Sequence, residues 1–295
     1  MASTQGANRI ALDNILYLTD FSPASEAAMP LMTAIARNHD SEVFVLHVLL
    51  PDPFVCMAPE CGDLIKDGQE QAAETNMQHL ESHLAGLTHQ TLMVHGPEVW
   101  TAIQPVMQKN DIDLLVLGTH GRTGIQRLLL GSVTEEIWRR AKVPVLTVGP
   151  ANRNAKFVGR LNCVVFATDF TPESLAGYPY ALSIARENHT RLILLNVIRQ
   201  FKKEEILGEV SATEATHQLT KMLPPDAELG CLTELMVKHG DPAERIIEVA
   251  TESGADLIVL GIRKGDNFGL ATHAERTTAH DVVVNAPCPV LTIRG

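Results

Sequence analysis

The chain has 295 residues, of which 45% are hydrophobic, 20% charged and only 4% aromatic, and its formal net charge is -11. This composition describes a globular α/β chain with an aliphatic core and excludes extended disorder. A strongly acidic balance without a long lysine and arginine run also excludes a general role on nucleic acid or on an anionic membrane, so any anionic ligand has to be held locally.

No apolar run reaches the roughly 20 residues of a membrane span. The opening Met-Ala-Ser-Thr-Gln-Gly lacks a basic segment followed by an apolar one, so the expected location is the cytoplasm. The cysteines Cys56, Cys61, Cys163, Cys231 and Cys288 are odd in number and scattered, which is no disulfide framework. Cys163 and Cys288 read as buried thiols in apolar strand contexts. Cys56 and Cys61 lack a following histidine or cysteine pair at zinc-site spacing.

In chain order, Ile15 to Leu18 reads as a first strand. Ser22 is a good N-cap and Pro23 a good first helical residue, and Ala28, Leu31, Met32 and Ile35 recur on one helical face. Val43 to Val48 is a second strand, the segment around Asp67 to Leu87 a second helix, and Thr91 to His95 a third strand. Pro97 opens a third helix, Leu114 to Gly118 is a buried fourth strand, Ser132 caps a fourth helix, and Val145 to Val148 closes as a fifth strand. Strands alternating with helices predict β-α-β units around a parallel sheet.

The order then repeats. Leu18-Thr-Asp-Phe-Ser-Pro23 returns as Ala167-Thr-Asp-Phe-Thr-Pro172, Ile35-Ala36-Arg37 as Ile184-Ala185-Arg186, and Asp113 to Gly118 as Asp256 to Gly261. Val143-Pro-Val-Leu-Thr147 returns as Cys288-Pro-Val-Leu-Thr292. One unit has been duplicated, giving copies over residues 10–149 and 160–295, with a polar linker at Gly149 to Gly159.

After the fourth strand, the first copy reads Gly118-Thr-His-Gly121-Arg-Thr-Gly-Ile-Gln-Arg-Leu-Leu-Leu-Gly131-Ser132, spaced as G-x2-G-x9-G-S. Glycines at a strand end let backbone adopt positive φ and approach a ligand, and a Gly-Ser step at a helix start offers free N–H groups at the positive dipole end. That combination is a phosphate cradle, placed where doubly wound sheets bind ligands.

The loop, the Thr-Asp-Phe-Ser-Pro opening and the Val-Pro-Val-Leu ending resemble the universal stress protein family, across both copies. The resemblance implies two tandem, doubly wound, five-stranded parallel sheets of order 3-2-1-4-5, arranged as a pseudo-twofold pair in which Val145 to Val148 lies beside Val290 to Ile293. It implies an ATP site in the first copy. Asp20 would contact the nucleoside, the Val48 backbone the adenine edge, Gly118 and Gly121 ribose and phosphates, and Gly131, Ser132 and Val133 the phosphate tail. Magnesium or manganese would sit between phosphate oxygens. Leu18 stands where ATP-binding relatives often carry proline. A homodimer is the further partner implied.

The second copy reads Gly261-Ile-Arg-Lys264 at the same place and ends in Arg276-Thr277 opposite Gly131-Ser132, so two of the three glycines are gone and ATP is not expected there. Asp20 recurs as Asp169 in that copy, which gives it a structural role in the turn beside any ligand role. His120 lies in the loop, but nothing nearby in sequence orients it, and no catalytic residue is assigned. The absence of G-x4-G-K-(S/T), G-x-G-x-x-G and G-x-S-x-G favours a nucleotide-responsive binding or signalling protein over a slow ATPase or a nucleotidyl-transfer enzyme, and the intact Gly118, Gly121, Gly131 and Ser132 speak against a scaffold without nucleotide.

Overall fold

The strand runs are apolar at nearly every position, so they need cover on both faces, and that requirement shapes the architecture. A computed structural model describes residues 10–51, 62–119, 131–149, 160–199, 205–224, 230–263 and 277–295. The first copy runs β1 (Asn14–Leu18), α1 (Pro23–Glu26), α2 (Met29–His39), β2 (Glu42–Leu49), α3 (Gly62–Glu81), β3 (His89–His95), α4 (Val99–Lys109), β4 (Leu114–Gly118), α5 (Ser132–Arg140) and β5 (Val145–Val148). The second repeats it as β6 (Cys163–Ala167), α6 (Pro172–Leu175), α7 (Tyr178–Glu187), β7 (Arg191–Ile198), α8 (Glu205–Met222), β8 (Leu232–His239), α9 (Pro242–Ser253), β9 (Leu257–Ile262), α10 (Thr278–Asn285) and β10 (Val290–Arg294).

The strands form one ten-stranded sheet in the order β3-β2-β1-β4-β5-β10-β9-β6-β7-β8. Each half has the expected order 3-2-1-4-5. Every ladder within a half is parallel, and the halves join through the antiparallel pair β5 and β10, with Leu146 opposite Leu291. Around that pair Thr147 Oγ1 donates to the Val290 carbonyl and Thr292 Oγ1 to that of Val145, both at 3.2 Å, so the two bonds are related by the pseudo-twofold axis. Alternate residues of each strand enter opposite core layers. Leu16 and Leu18 join Phe44, Leu46, Trp100 and Ile137 in one layer, and Ile15 and Tyr17 join Val43, Val45, Leu31 and Ile35 in the other. Cys163 and Cys288 are buried free thiols, and burial pushes Cys288 well above the ordinary thiol range. Cys56 and Cys61 lie outside the described residues.

The repeated aspartates have a structural task. Asp113 Oδ2 accepts the Asp13 and Asn14 amides at 3.0 Å each, and Asp256 Oδ2 accepts those of Asn162 and Cys163 at 2.6 and 3.2 Å. Each carboxylate ties the start of one strand to its neighbour. Two expectations need correction. The single helix after β1 is divided into α1 and α2, because Pro30 in the first turn of α2 has no N–H to continue the ladder, and Pro179 divides α6 from α7 likewise. The N-cap of α5 is Gly131 and not Ser132, which is the first helical residue.

The copies also meet through α2 and α7. His39 Nε2 lies 2.7 Å from Glu187 Oε2, with the His39 side chain only 3% exposed, and Asn38 Nδ2 donates to Asn188 Oδ1 at 3.1 Å. The repeat matches Asn38 with Glu187 and His39 with Asn188, so these are two arms of one pseudo-symmetric contact. Glu187 Oε1 also accepts from Ser183 Oγ at 2.9 Å. Truncating His39 to Ala takes away the ring that meets Glu187 Oε2 in a largely buried contact and is expected to destabilise the chain by about 2 kcal/mol. The pair His39→Asn with Glu187→Asn, which copies the neutral arm, should recover most of that loss in urea unfolding at pH 7.

Candidate functional site

The carboxyl end of β1 turns sharply, and side-chain bonds hold the turn. Thr19 Oγ1 accepts the Phe21 amide at 3.0 Å and lies 3.2 Å from Ser25 Oγ, while Asp20 Oδ1 accepts the Ser22 amide at 3.0 Å. Phe21 is held in the left-handed region at φ 59, which a bulky side chain adopts only when its surroundings enforce it. Its ring lies 4.5 Å from that of His47, whose Nδ1 is 2.8 Å from the Thr19 carbonyl oxygen. The second copy repeats the turn with Thr168, Asp169 and Phe170 at φ 63, and Asn196 Nδ2 donates to the Thr168 carbonyl at 2.8 Å. Asp20 therefore has a turn-forming role common to both copies.

β1 lies between β2 and β4, so the chain reverses its direction of travel across the sheet there, which is the place at whose carboxyl side open α/β sheets take their ligands. Asp20 follows β1, half-buried Val48 lies near the end of β2, and Gly118 ends β4. Gly118 is glycine for a reason other than the positive φ expected of a ligand loop. A Cβ there would lie 2.6 Å from the Ala24 carbonyl carbon and 2.7 Å from the Ser25 nitrogen, so the first turn of α1 occupies the space of a side chain. In the second copy a Cβ on Gly261 would lie 2.1 Å from the Glu173 carbonyl oxygen of α6. The close approach of helix and strand demands both glycines, whatever the loop binds.

The loop is pinned at its roots. Thr119 donates its amide to the Val148 carbonyl at 2.9 Å, and the Gly131 amide returns to the Thr119 carbonyl at 2.9 Å. Thr134 Oγ1 donates to the Gly118 carbonyl at 3.0 Å. Gly121, with His120, Arg122 and Arg127, lies outside the described residues, as do Lys264 and Arg276. Ser132 and Val133 are exposed in the first turn of α5, and among the described residues no side chain caps that turn. The four leading N–H groups of a helix have no partner within it, so the start of α5, tied to the end of β4 by Thr134, carries amides and the positive dipole end.

The second copy is arranged otherwise. Thr277 caps α10 by accepting the His280 amide at 3.3 Å. Arg263 Nη2 lies 3.3 Å from Asp169 Oδ2, and Arg199 Nη2 donates to Thr278 Oγ1 at 3.1 Å. Burial works to raise the Asp169 carboxyl, but hydrogen bonds from Thr171 and Ser174 and the Arg263 charge outweigh it and hold the group below its ordinary value. Two arginines and a side-chain cap stand where the first copy has an uncapped helix.

The model of the universal stress protein family matches residues 11–149 and again 162–294. The chain belongs to the universal stress protein family. Universal stress protein MJ0531 of Methanocaldococcus jannaschii is 33% identical over 139 residues, 45% of this chain and 80% of that protein. MJ0577 of the same organism is 28% identical over 156 residues, 47% of this chain and 95% of that protein. A crystal structure of a universal stress protein from Archaeoglobus fulgidus DSM 4304 superposes with a TM-score of 0.69 at 18% identity, covering 97% of this chain and 99% of that one, which shows the same tandem fold. Within this universal stress protein fold, the supports that sequence reasoning passed over are Thr19, His47 and Thr134. Thr19 was legible from its recurrence as Thr168, whereas the strand-end contact of Thr134 follows only from the packing of α5.

Gly118→Ala and Gly261→Ala are both expected to destabilise the chain by about 1–3 kcal/mol, because each forces a helix backbone away from a strand. Equal losses in chemical unfolding would establish packing as the reason for both glycines. A loss at Gly118 alone would count against it.

Proposed function

We propose that the first copy, residues 10–149, binds ATP beyond the carboxyl ends of β1 and β4, and that the chain is a nucleotide-responsive binding protein of the stress response. The observation that carries the reading is the difference between matched helix starts. α5 begins at a glycine, with no side-chain cap among the described residues, behind a G-x2-G-x9-G-S loop, whereas α10 is capped by Thr277 and meets Arg199, and Arg263 holds Asp169. Amides left open at a helix N-terminus suit phosphate oxygens, and small residues let them approach.

In this reading Gly131, Ser132 and Val133 hold the phosphate tail through backbone and hydroxyl groups, Gly121 and Gly118 border ribose and phosphates, Asp20 meets the nucleoside, and the Val48 backbone meets the adenine edge. A magnesium or manganese ion would neutralise charge between phosphate oxygens. The unit at residues 160–295 serves as the structural partner. The edge of β5 is already paired with β10, so homodimerisation of the whole chain has to use another surface. The expected setting is the cytoplasm; among the described residues no helix is long and apolar enough to cross a membrane.

Calorimetric titration with magnesium and ATP tests the reading. The wild type is expected to take up a single nucleotide per chain, and Gly131→Trp to weaken binding about a hundredfold or more while leaving the unfolding midpoint nearly unchanged. Absence of binding heat, together with no adenine nucleotide released from the denatured protein, would remove ATP from the account.

A further inference from the structure

The final helices of the two copies end alike. α5 closes with the Ala141 amide on the Ile137 carbonyl, and α10 with the Ala286 amide on that of Val282. The next carbonyl in each, Trp138 and Val283, falls among those a helix leaves without an intrahelical partner. Trp138 and Val283 are matched by the repeat, and each faces the end of the last strand of the opposite copy. The matched residues there are Arg294 and Gly149. Arg294 Nη2 donates to the Trp138 carbonyl. At the other arm Gly149 has no side chain to offer, and a Cβ there would lie 3.2 Å from the Val283 carbonyl oxygen.

The same helices differ in the opposite sense at their amino ends, where Thr277 caps α10 and, among the described residues, no side chain caps α5. The side-chain cap thus belongs to the start of α10, and the arginine from the opposite copy to the end of α5.

We infer that Arg294 is a positioning residue by which the second copy supports the ligand-facing helix of the first. A guanidinium at the carboxyl end of α5 satisfies a carbonyl and stabilises the negative end of the helix dipole. A cap at position 131 would stabilise the same helix by occupying an amide that the ligand needs, whereas a cation at the far end leaves every first-turn amide open. The purpose of the contact rests on the nucleotide reading given above; its geometry does not. The second copy keeps this task although its own loop has diverged.

Arg294→Met in the full-length chain retains the aliphatic stem and removes the donors and charge. Without nucleotide, amide exchange at Glu135 and Ala141, which donate within α5 to the Gly131 and Ile137 carbonyls, is expected to accelerate about tenfold, the scale of a favourable helix-terminus charge, with α10 unchanged. Affinity for magnesium-ATP should fall by a similar factor, and Arg294→Lys should recover part of both. Unchanged exchange in α5 overturns the positioning role, as does an equal rise through both copies, which marks a general stabiliser. Faster exchange with unaltered ATP affinity overturns its link to the site. If the wild type binds no magnesium-ATP, the nucleotide reading fails by itself, and exchange in α5 still decides whether Arg294 supports the helix.

Discussion

Antiparallel hydrogen bonding between β5 and β10 makes two five-stranded sheets into one. A parallel sheet built from β-α-β units ends in an edge strand, and here each copy covers the edge of the other, with Leu146 opposite Leu291 and the Thr147 and Thr292 hydroxyls bonded across the join. Every other contact between the copies follows from that pairing. It places α2 beside α7, so that His39 reaches Glu187 and Asn38 reaches Asn188, and it carries the end of β10 to the end of α5.

Duplication supplies an internal control for function. The Thr-Asp-Phe turn, the Asp113 and Asp256 ties and the close helix approach at Gly118 and Gly261 occur in both copies, so the fold alone accounts for them. What the copies do not share is the loop composition, the cap of the final helix and the arginines beside Asp169 and Thr278. Gly131, Ser132 and Val133 therefore mark the first copy as different, whereas the glycine at 118 would be required without any ligand.

The asymmetry extends to the contacts between copies. One arm at α2 and α7 is a histidine with a carboxylate and its counterpart is a pair of asparagines; one arm at the final helices is an arginine and its counterpart a glycine. In a duplicated chain a substitution at either end of the shared interface acts on only one copy, and Arg294 meets α5 alone.

The sequence carried the strand and helix order, the duplication and the parallel halves in apolar runs, helical periodicity and repeated segments, which are local or recurrent signals; the pairing of β5 with β10 came from its resemblance to the family. It also singled out the loop and the start of α5, because glycine spacing and a Gly-Ser step are local too. The division of the helix at Pro30 was within its reach, since a missing N–H acts on the turn that contains it. Tertiary structure alone decided why Gly118 is glycine, which end of α5 is supported, and that His39 meets Glu187. Those contacts join residues far apart in the chain, 156 positions for Arg294 and Trp138, and no periodicity records which side chain a folded sheet brings to a distant carbonyl.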